Sequence, residues 1–140
     1  MPILDPEEAS WLAGLIAQAV IDLSHGPCVT VEVDGDEKRW IQILPVESEV
    51  EPGRIESFLL NFPYRDRSGD PLSLLAESGL RPPPGTETAD YDSGHFAALH
   101  IRGDVPLLGL AHFSADILEA IVGAPSNAEM AVRVEYGYRP

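Results

Sequence analysis

The stretch CVTVEVDGDEKRWIQILPV, residues 28–46, decides the fold because it predicts two antiparallel strands joined by a tight turn. In its first half, valines alternate with mostly polar residues, which is the period of a strand buried on one side. Asp34-Gly35 is a typical hairpin turn, and an apolar run from Trp40 to Leu44 follows it. We therefore expect a β-hairpin with one strand half exposed.

A helix is expected before this hairpin. Asp5 precedes Pro6, and Glu8 follows three residues after Asp5. The Asp5 side chain can accept hydrogen bonds from the free N–H groups of a helix start, proline is favoured in the first turn, and the acid Glu8 suits the positive end of the helix. Apolar residues then recur at intervals of three and four until about Ser24, and His25-Gly26-Pro27 ends the pattern. One apolar stripe of this helix should face a core.

The run IESFLLNFPY, residues 55–64, follows the hairpin and carries large apolar residues on both faces. Ile55 and Leu59 share one face, while Leu60 and two phenylalanines share the other. This pattern predicts a strand that is covered on both sides.

The second half of the chain alternates between helices and strands. Asp70-Pro71 predicts the start of a short helix that ends at Gly79. Residues 81–94 are so rich in proline, glycine and acid that we expect a long surface loop there. A strand should then run from His95 to Ile101.

A helix over residues 105–123 should follow, capped by Asp104 with Pro106 in its first turn. The alternative is a strand from residue 107 to 113 and a helix from Ser114, because Gly109 weakens a continuous helix. The alternating run EMAVRVEYGY, residues 129–138, predicts a closing strand packed on one side.

The predicted order of elements is thus α-β-β-β-α-β-α-β. We expect an α+β fold with a mainly antiparallel sheet of about five strands and three helices. At 140 residues the chain has the length of a single domain, 1–140, with the surface loop at 81–94.

The charge of the chain limits its partners. Acidic residues outnumber basic ones by 23 to 9, for a formal net charge of −14. This field repels nucleic acids and anionic membranes and favours a partner with basic segments, although acidity also serves solubility alone. The one cysteine, Cys28, the absence of a basic secretion signal and the lack of an apolar run of ~18–20 residues lead us to expect a cytoplasmic protein.

No catalytic or metal-binding motif stands out. Three of the four histidines fall in one aspartate-rich stretch: His95, His100 and His112. Their spacing fits neither a His-x-His strand nor a His-x-x-x-His helix site, and Asp90-x-Asp92-x-Gly94 matches only the first positions of a calcium loop. A Cys28–His25 pair is conceivable as a thiol site, but no nucleophile elbow or phosphate loop occurs. We expect no enzyme activity, catalytic residue, metal or cofactor.

Apolar residues of the strands are the remaining candidates for function. The apolar faces around residues 58–62 exceed what one short set of helices is expected to cover, so a partner chain or peptide would complete their burial. The residues expected to contact the partner are Trp40, Phe58, Leu60, Phe62 and Tyr64. The alternative is that these residues simply form the core.

Three segments carry a resemblance to a known group of proteins. They are RWIQILP (39–45) as a strand, LLAESGLRPPPG (74–85) as a helix-to-loop junction, and DVPLLGLAHFSADILEAIVGAPSNAEMAVRVEYGY (104–138) as a helix, a Gly-Ala-Pro turn and a strand. Over residues 38–138 the chain resembles the type III secretion chaperone/YbjN-like superfamily. The resemblance implies a small acidic domain whose helix-flanked antiparallel sheet binds peptide segments of a partner and often dimerises.

We therefore expect a non-enzymatic, cytoplasmic module that binds a protein or peptide by strand addition or in a groove, and that could also form a homodimer. The first alternative is an acidic immunity or inhibitor protein that blocks a basic toxin or nuclease through its negative field. A further alternative is an enzyme that uses the loop from Asp90 to His95.

Overall fold

The computed structural model describes residues 5–137. The helices in this range are α1 (Pro6–Ile21), α2 (Pro71–Glu77) and α3 (Leu107–Ala120). The strands are β1 (Cys28–Val33), β2 (Asp36–Glu47), β3 (Ile55–Pro63), β4 (Glu87–Asp92), β5 (Phe96–Arg102) and β6 (Met130–Glu135). The predicted α+β class is confirmed, with six strands instead of about five.

The six strands form one sheet in the order β4-β5-β3-β2-β1-β6, and every neighbouring pair is antiparallel. The predicted hairpin lies within it: Thr30 of β1 pairs with Gln42 of β2, and Gly35 in the turn has a φ of 79° that suits glycine. β6 pairs with β1 on one side of the hairpin, and β3 pairs with β2 on the other. The sheet therefore has β4 and β6 as its edge strands.

The helices all contribute to one core against one side of the sheet, which we call the inner face. Leu12 and Ile16 of α1, Leu75 of α2 and Ile117 of α3 belong to a single buried cluster. The sheet residues in that cluster are Val29, Val31, Val33, Ile41, Ile43, Phe58, Leu60, Phe62, Ala97, Leu99 and Ile101. Because side chains of a strand alternate between faces, the intervening residues belong to the opposite side, the outer face.

Helix α1 begins as predicted. The Asp5 side chain accepts a hydrogen bond from the Glu8 backbone N–H at 2.8 Å, and the Glu8 side chain accepts one from the Asp5 N–H at 3.2 Å. This reciprocal pair satisfies backbone donors that the first turn would otherwise leave free. The helix ends at Ile21, slightly before the predicted Ser24, and a short 3₁₀ turn (Leu23–His25) leads into β1.

Residues 107–120 form one continuous helix, so the alternative of a strand followed by a helix is wrong. Seven of its residues are buried, and this packing outweighs the low helix propensity of Gly109. The predicted cap is also wrong, since Pro106 is the N-cap and Asp104 accepts a hydrogen bond from Arg102 at 2.8 Å instead. A proline disfavours the helical conformation of the residue before it, here Val105, so the helix begins only after Pro106.

The prediction of a long surface loop over residues 81–94 is wrong in part, because Glu87–Asp92 forms the edge strand β4. Five of its six residues are exposed, so no alternation of apolar and polar residues announces the strand. Pairing with β5, in which Glu87 lies opposite His100, orders it instead. The predicted closing strand is β6, and Tyr138, its expected last residue, lies outside the described residues.

Leu59 and Leu60 allow the two faces of the sheet to be compared by experiment. Leu60 is fully buried on the inner face, and Leu59 is half-buried on the outer face. Leu60→Ala should lower the free energy of unfolding by about 2–5 kcal/mol, because it leaves a cavity in the core. Leu59→Ala should lower it by about 1 kcal/mol or less, because this site is partly in solvent. Chemical denaturation measures both values, and equal losses would contradict the assignment of faces.

Candidate functional site: the outer face of the sheet

Four of the five residues predicted to contact a partner lie in the core. Phe58, Leu60, Phe62 and Tyr64 are each at most 1% exposed. The Tyr64 hydroxyl donates to the carbonyl of Gly69 at 2.9 Å. Contrary to the prediction, these side chains are not available to a partner, because the three helices cover the inner face.

Trp40 is the one residue of the predicted set that stays accessible. It is half-buried, and it lies opposite Glu32 on the outer face. The other outer-face residues of the three strands β2, β3 and β5 include Gln42, Leu44, Val46, Ser57, Leu59, Asn61, Phe96, Ala98, His100 and Arg102. None of the three described helices places a buried residue against this face, so the prediction that β3 is covered on both sides is wrong.

Apolar side chains cross the outer face from β2 to β5. We call this set the outer stripe: Trp40, Leu44, Val46, Leu59, Phe96 and Ala98. Leu44 and Leu59 lie directly opposite each other across the β2–β3 pair. Leu44 and Ala98 are buried, at 4% and 6% exposed, although neither belongs to the core cluster. Phe96 is 40% exposed at one end of the stripe.

The two edges of the outer face differ in charge. At the β6 edge, Arg133 forms ion pairs with Glu32 and, at 2.8 Å, with Glu135. At the β4 edge, Glu87 and Asp90 form no ion pair with any residue in the described range 5–137. At the β6 edge one guanidinium offsets one of two carboxylate charges, whereas Glu87 and Asp90 at the β4 edge have no cation paired with them in the described range.

The histidines that the sequence raised as a metal site do not come together. His95 lies in the turn before β5, His100 on the outer face and His112 on α3, and all three are exposed. Asp90 and Asp92 lie in a strand, not in the tight loop of a calcium site. Across residues 5–137, no three His, Cys, Asp or Glu side chains are placed to share a metal ion.

Cys28 is buried at the start of β1, with its sulfur 3.7 Å from Oγ1 of Thr30. Burial raises the pKa of the thiol, and the hydrogen bond with Thr30 offsets this only in part. The conceivable partner His25 packs edge-on against Tyr136, with 6.4 Å between ring centroids. These surroundings keep the thiol protonated and out of solvent.

Native Cys28 should therefore react slowly with a disulfide reagent such as DTNB. We expect a rate at least ~100-fold below that of the urea-unfolded chain, because both burial and the raised pKa suppress attack by the thiolate. Absorbance of the released thiol follows the reaction. Fast, stoichiometric labelling of the native protein would show that β1 is open to solvent.

The sequence analysis missed Val46 and Leu59 as accessible residues. The alternation within residues 55–64 did separate Leu59 from Phe58 and Leu60. It could not show which of two apolar faces the helices would cover. The information needed was the packing of α1 and α3, which is not local to the strand.

No helix of the described range is both long and apolar enough to cross a bilayer. Comparisons of the chain with protein-family models, curated proteins and solved structures find no match. The geometry of the chain is therefore the basis for a functional proposal.

Proposed function

We propose that this protein is a non-enzymatic binding module that holds a segment of a partner protein across the outer face. The observation that carries the proposal is the outer stripe, in which apolar side chains cross a sheet face that none of the described helices covers. The exposed members of the stripe are Trp40, Val46, Leu59 and Phe96. Apolar surface in contact with water is costly, and it marks interaction sites on many proteins.

The charge beside the stripe defines the chemistry of the partner. Glu87 and Asp90 at the β4 edge find no cationic partner among residues 5–137, and the chain as a whole carries a net charge of −14. A partner segment with lysine or arginine beside apolar residues would fill the stripe and compensate these carboxylates. Complementary charge of this kind raises the association rate and excludes acidic competitors.

Binding across the face is favoured over strand addition at β4. The ladder between β4 and β5 is interrupted by a bulge between Thr88 and Asp90, and the edge is lined with acids. Bulges and charges are the features by which edge strands resist pairing with another chain. The partner therefore contacts side chains of the outer face, and its backbone need not extend the sheet.

The proposal keeps the peptide-binding role that the resemblance to secretion chaperones implies. Such a role needs a sheet that is supported by helices on one side and open on the other, and the outer face meets this need. A second copy of the chain is the competing occupant of the same face, and the mass of the protein in solution tests for it.

A second candidate is the acidic inhibitor of a basic toxin or nuclease, and the uncompensated carboxylates of the β4 edge favour it. It requires a tight one-to-one complex whose association rate falls steeply with added salt. A module that relies on the outer stripe shows a weaker dependence on salt, because apolar contacts are not screened.

The two tryptophans of the chain provide matched reporters on opposite sides of the sheet. Trp40 lies on the outer face, and Trp11 is 55% exposed on α1. Trp11→Phe leaves Trp40 as the sole tryptophan, and Trp40→Phe leaves Trp11. A synthetic peptide that alternates valine with lysine should change the emission of Trp40 saturably and leave that of Trp11 unchanged, because only Trp40 lies at the binding face.

Two controls separate the apolar and ionic parts of this binding. Leu59→Glu, made in the Trp11→Phe background, should weaken the response at least tenfold, because it places a charge in the outer stripe. A peptide with glutamate in place of lysine should not bind. Unchanged Trp40 emission together with a monomeric mass by light scattering would contradict the proposal. A dimer that Leu59→Glu converts to a monomer would assign the face to a second copy.

A further inference from the structure

The basic residues of this acidic chain are unevenly distributed. Four of the nine line one cleft of about 510 Å³, which we call the basic cleft: Lys38, Arg39, Arg65 and Arg67. Pro63, Asp66 and the segment Ile121–Gly123, which follows α3, complete its lining. A net charge of −14 makes such a concentration of cations unexpected from composition.

Two of the four cations hold the carboxyl end of α3. Arg39 Nε donates to the carbonyl of Gly123 at 3.2 Å, and Arg67 donates to the carbonyls of Ala120 and Ile121, both at 3.4 Å. These contacts offset the partial negative charge of the helix C-terminus. They also fix both guanidinium groups at the wall of the basic cleft.

The other two cations, Lys38 and Arg65, have no such structural task. Within residues 5–137, neither side chain makes an ion pair or a hydrogen bond. The lining contains one acid, Asp66, and Asp36 forms an ion pair with Arg39. Four cations against two carboxylates leave the basic cleft with a surplus of two positive charges.

We propose that the basic cleft binds the phosphate group of a small molecule. Guanidinium groups offer paired N–H donors that match phosphate oxygens, and a surplus of two positive charges matches a phosphate dianion. A volume of about 510 Å³ suits a small ligand, and Pro63, Ile121 and Val122 provide an apolar wall for the part that carries the phosphate.

The rest of the chain excludes a large polyanion from this cleft. Acidic residues dominate outside it, and they repel any negative charge of a ligand that comes within the screening length of roughly 8 Å of them. A nucleic acid would cross that field, whereas a small phosphate compound stays within the cleft.

Calorimetric titration of the full chain with inorganic pyrophosphate tests the proposal. We expect saturable binding at one site, weakened at least tenfold in the double variant Lys38→Gln/Arg65→Gln. Neither side chain forms an ion pair or a hydrogen bond with another residue of the described range, so this variant should keep the melting temperature of the parent. Arg54→Gln is the matched control, because Arg54 pairs with Glu51 at 3.2 Å beyond the other end of β2 and should leave the affinity unchanged.

Sodium chloride at equal ionic strength controls for general screening of a chain this acidic. Absent binding, or binding that persists unchanged in the double variant, would overturn the proposal. Phenyl phosphate should bind several-fold more tightly than inorganic phosphate, because its ring can contact the apolar wall. Equal affinities would show that the cleft takes only the free ion and not a phosphorylated small molecule.

Discussion

The packing of three helices on one face of a six-stranded sheet is the constraint on which the rest of the structure depends. α1 and α3 bury Leu12, Ile16 and Ile117 in the same cluster as Ile41 and Leu60 of the sheet. Because successive residues of a strand point to opposite faces, this packing seals every second residue of the central strands under the helices and leaves the residues between them on the outer face, where Trp40, Val46 and Leu59 remain partly exposed. The core and the outer stripe are thus two consequences of one arrangement.

Local interactions are the part of this fold that the sequence predicts well. The capping pair Asp5–Glu8 and the turn at Asp34-Gly35 each involve residues a few positions apart, and both form as expected. Non-local interactions are the part that it does not predict. β4 is ordered by pairing with β5 although its own residues are exposed. Helices that lie elsewhere in the chain bury Phe58 and leave its neighbour Leu59 on the outer face. Which residues are accessible to a partner depends on this non-local packing, so only Trp40 of the residues predicted to contact a partner lies on the accessible face.

The charges of the molecule divide it into surfaces with opposite preferences. Carboxylates gather at the β4 edge of the outer face, whereas four of the nine cations gather in the basic cleft. Screening limits the reach of each set to roughly 8 Å in physiological salt. An acidic chain can therefore attract a basic protein segment at one surface and still hold a small anion at another.

Accessibility of the outer face in the free protein is the central claim, and cysteine labelling tests it most directly. In a Cys28→Ala background, single cysteines at Ser57 and Asn61 report on the outer face of β3, and a cysteine at the buried Ala97 reports on the inner face of β5. At low protein concentration, Ser57→Cys and Asn61→Cys should react within about tenfold of the rate of the unfolded chain, and Ala97→Cys at least ~1000-fold more slowly, because it reacts only after unfolding. Slow labelling at Ser57 and Asn61 as well would show that the outer face is already covered, and would contradict this account.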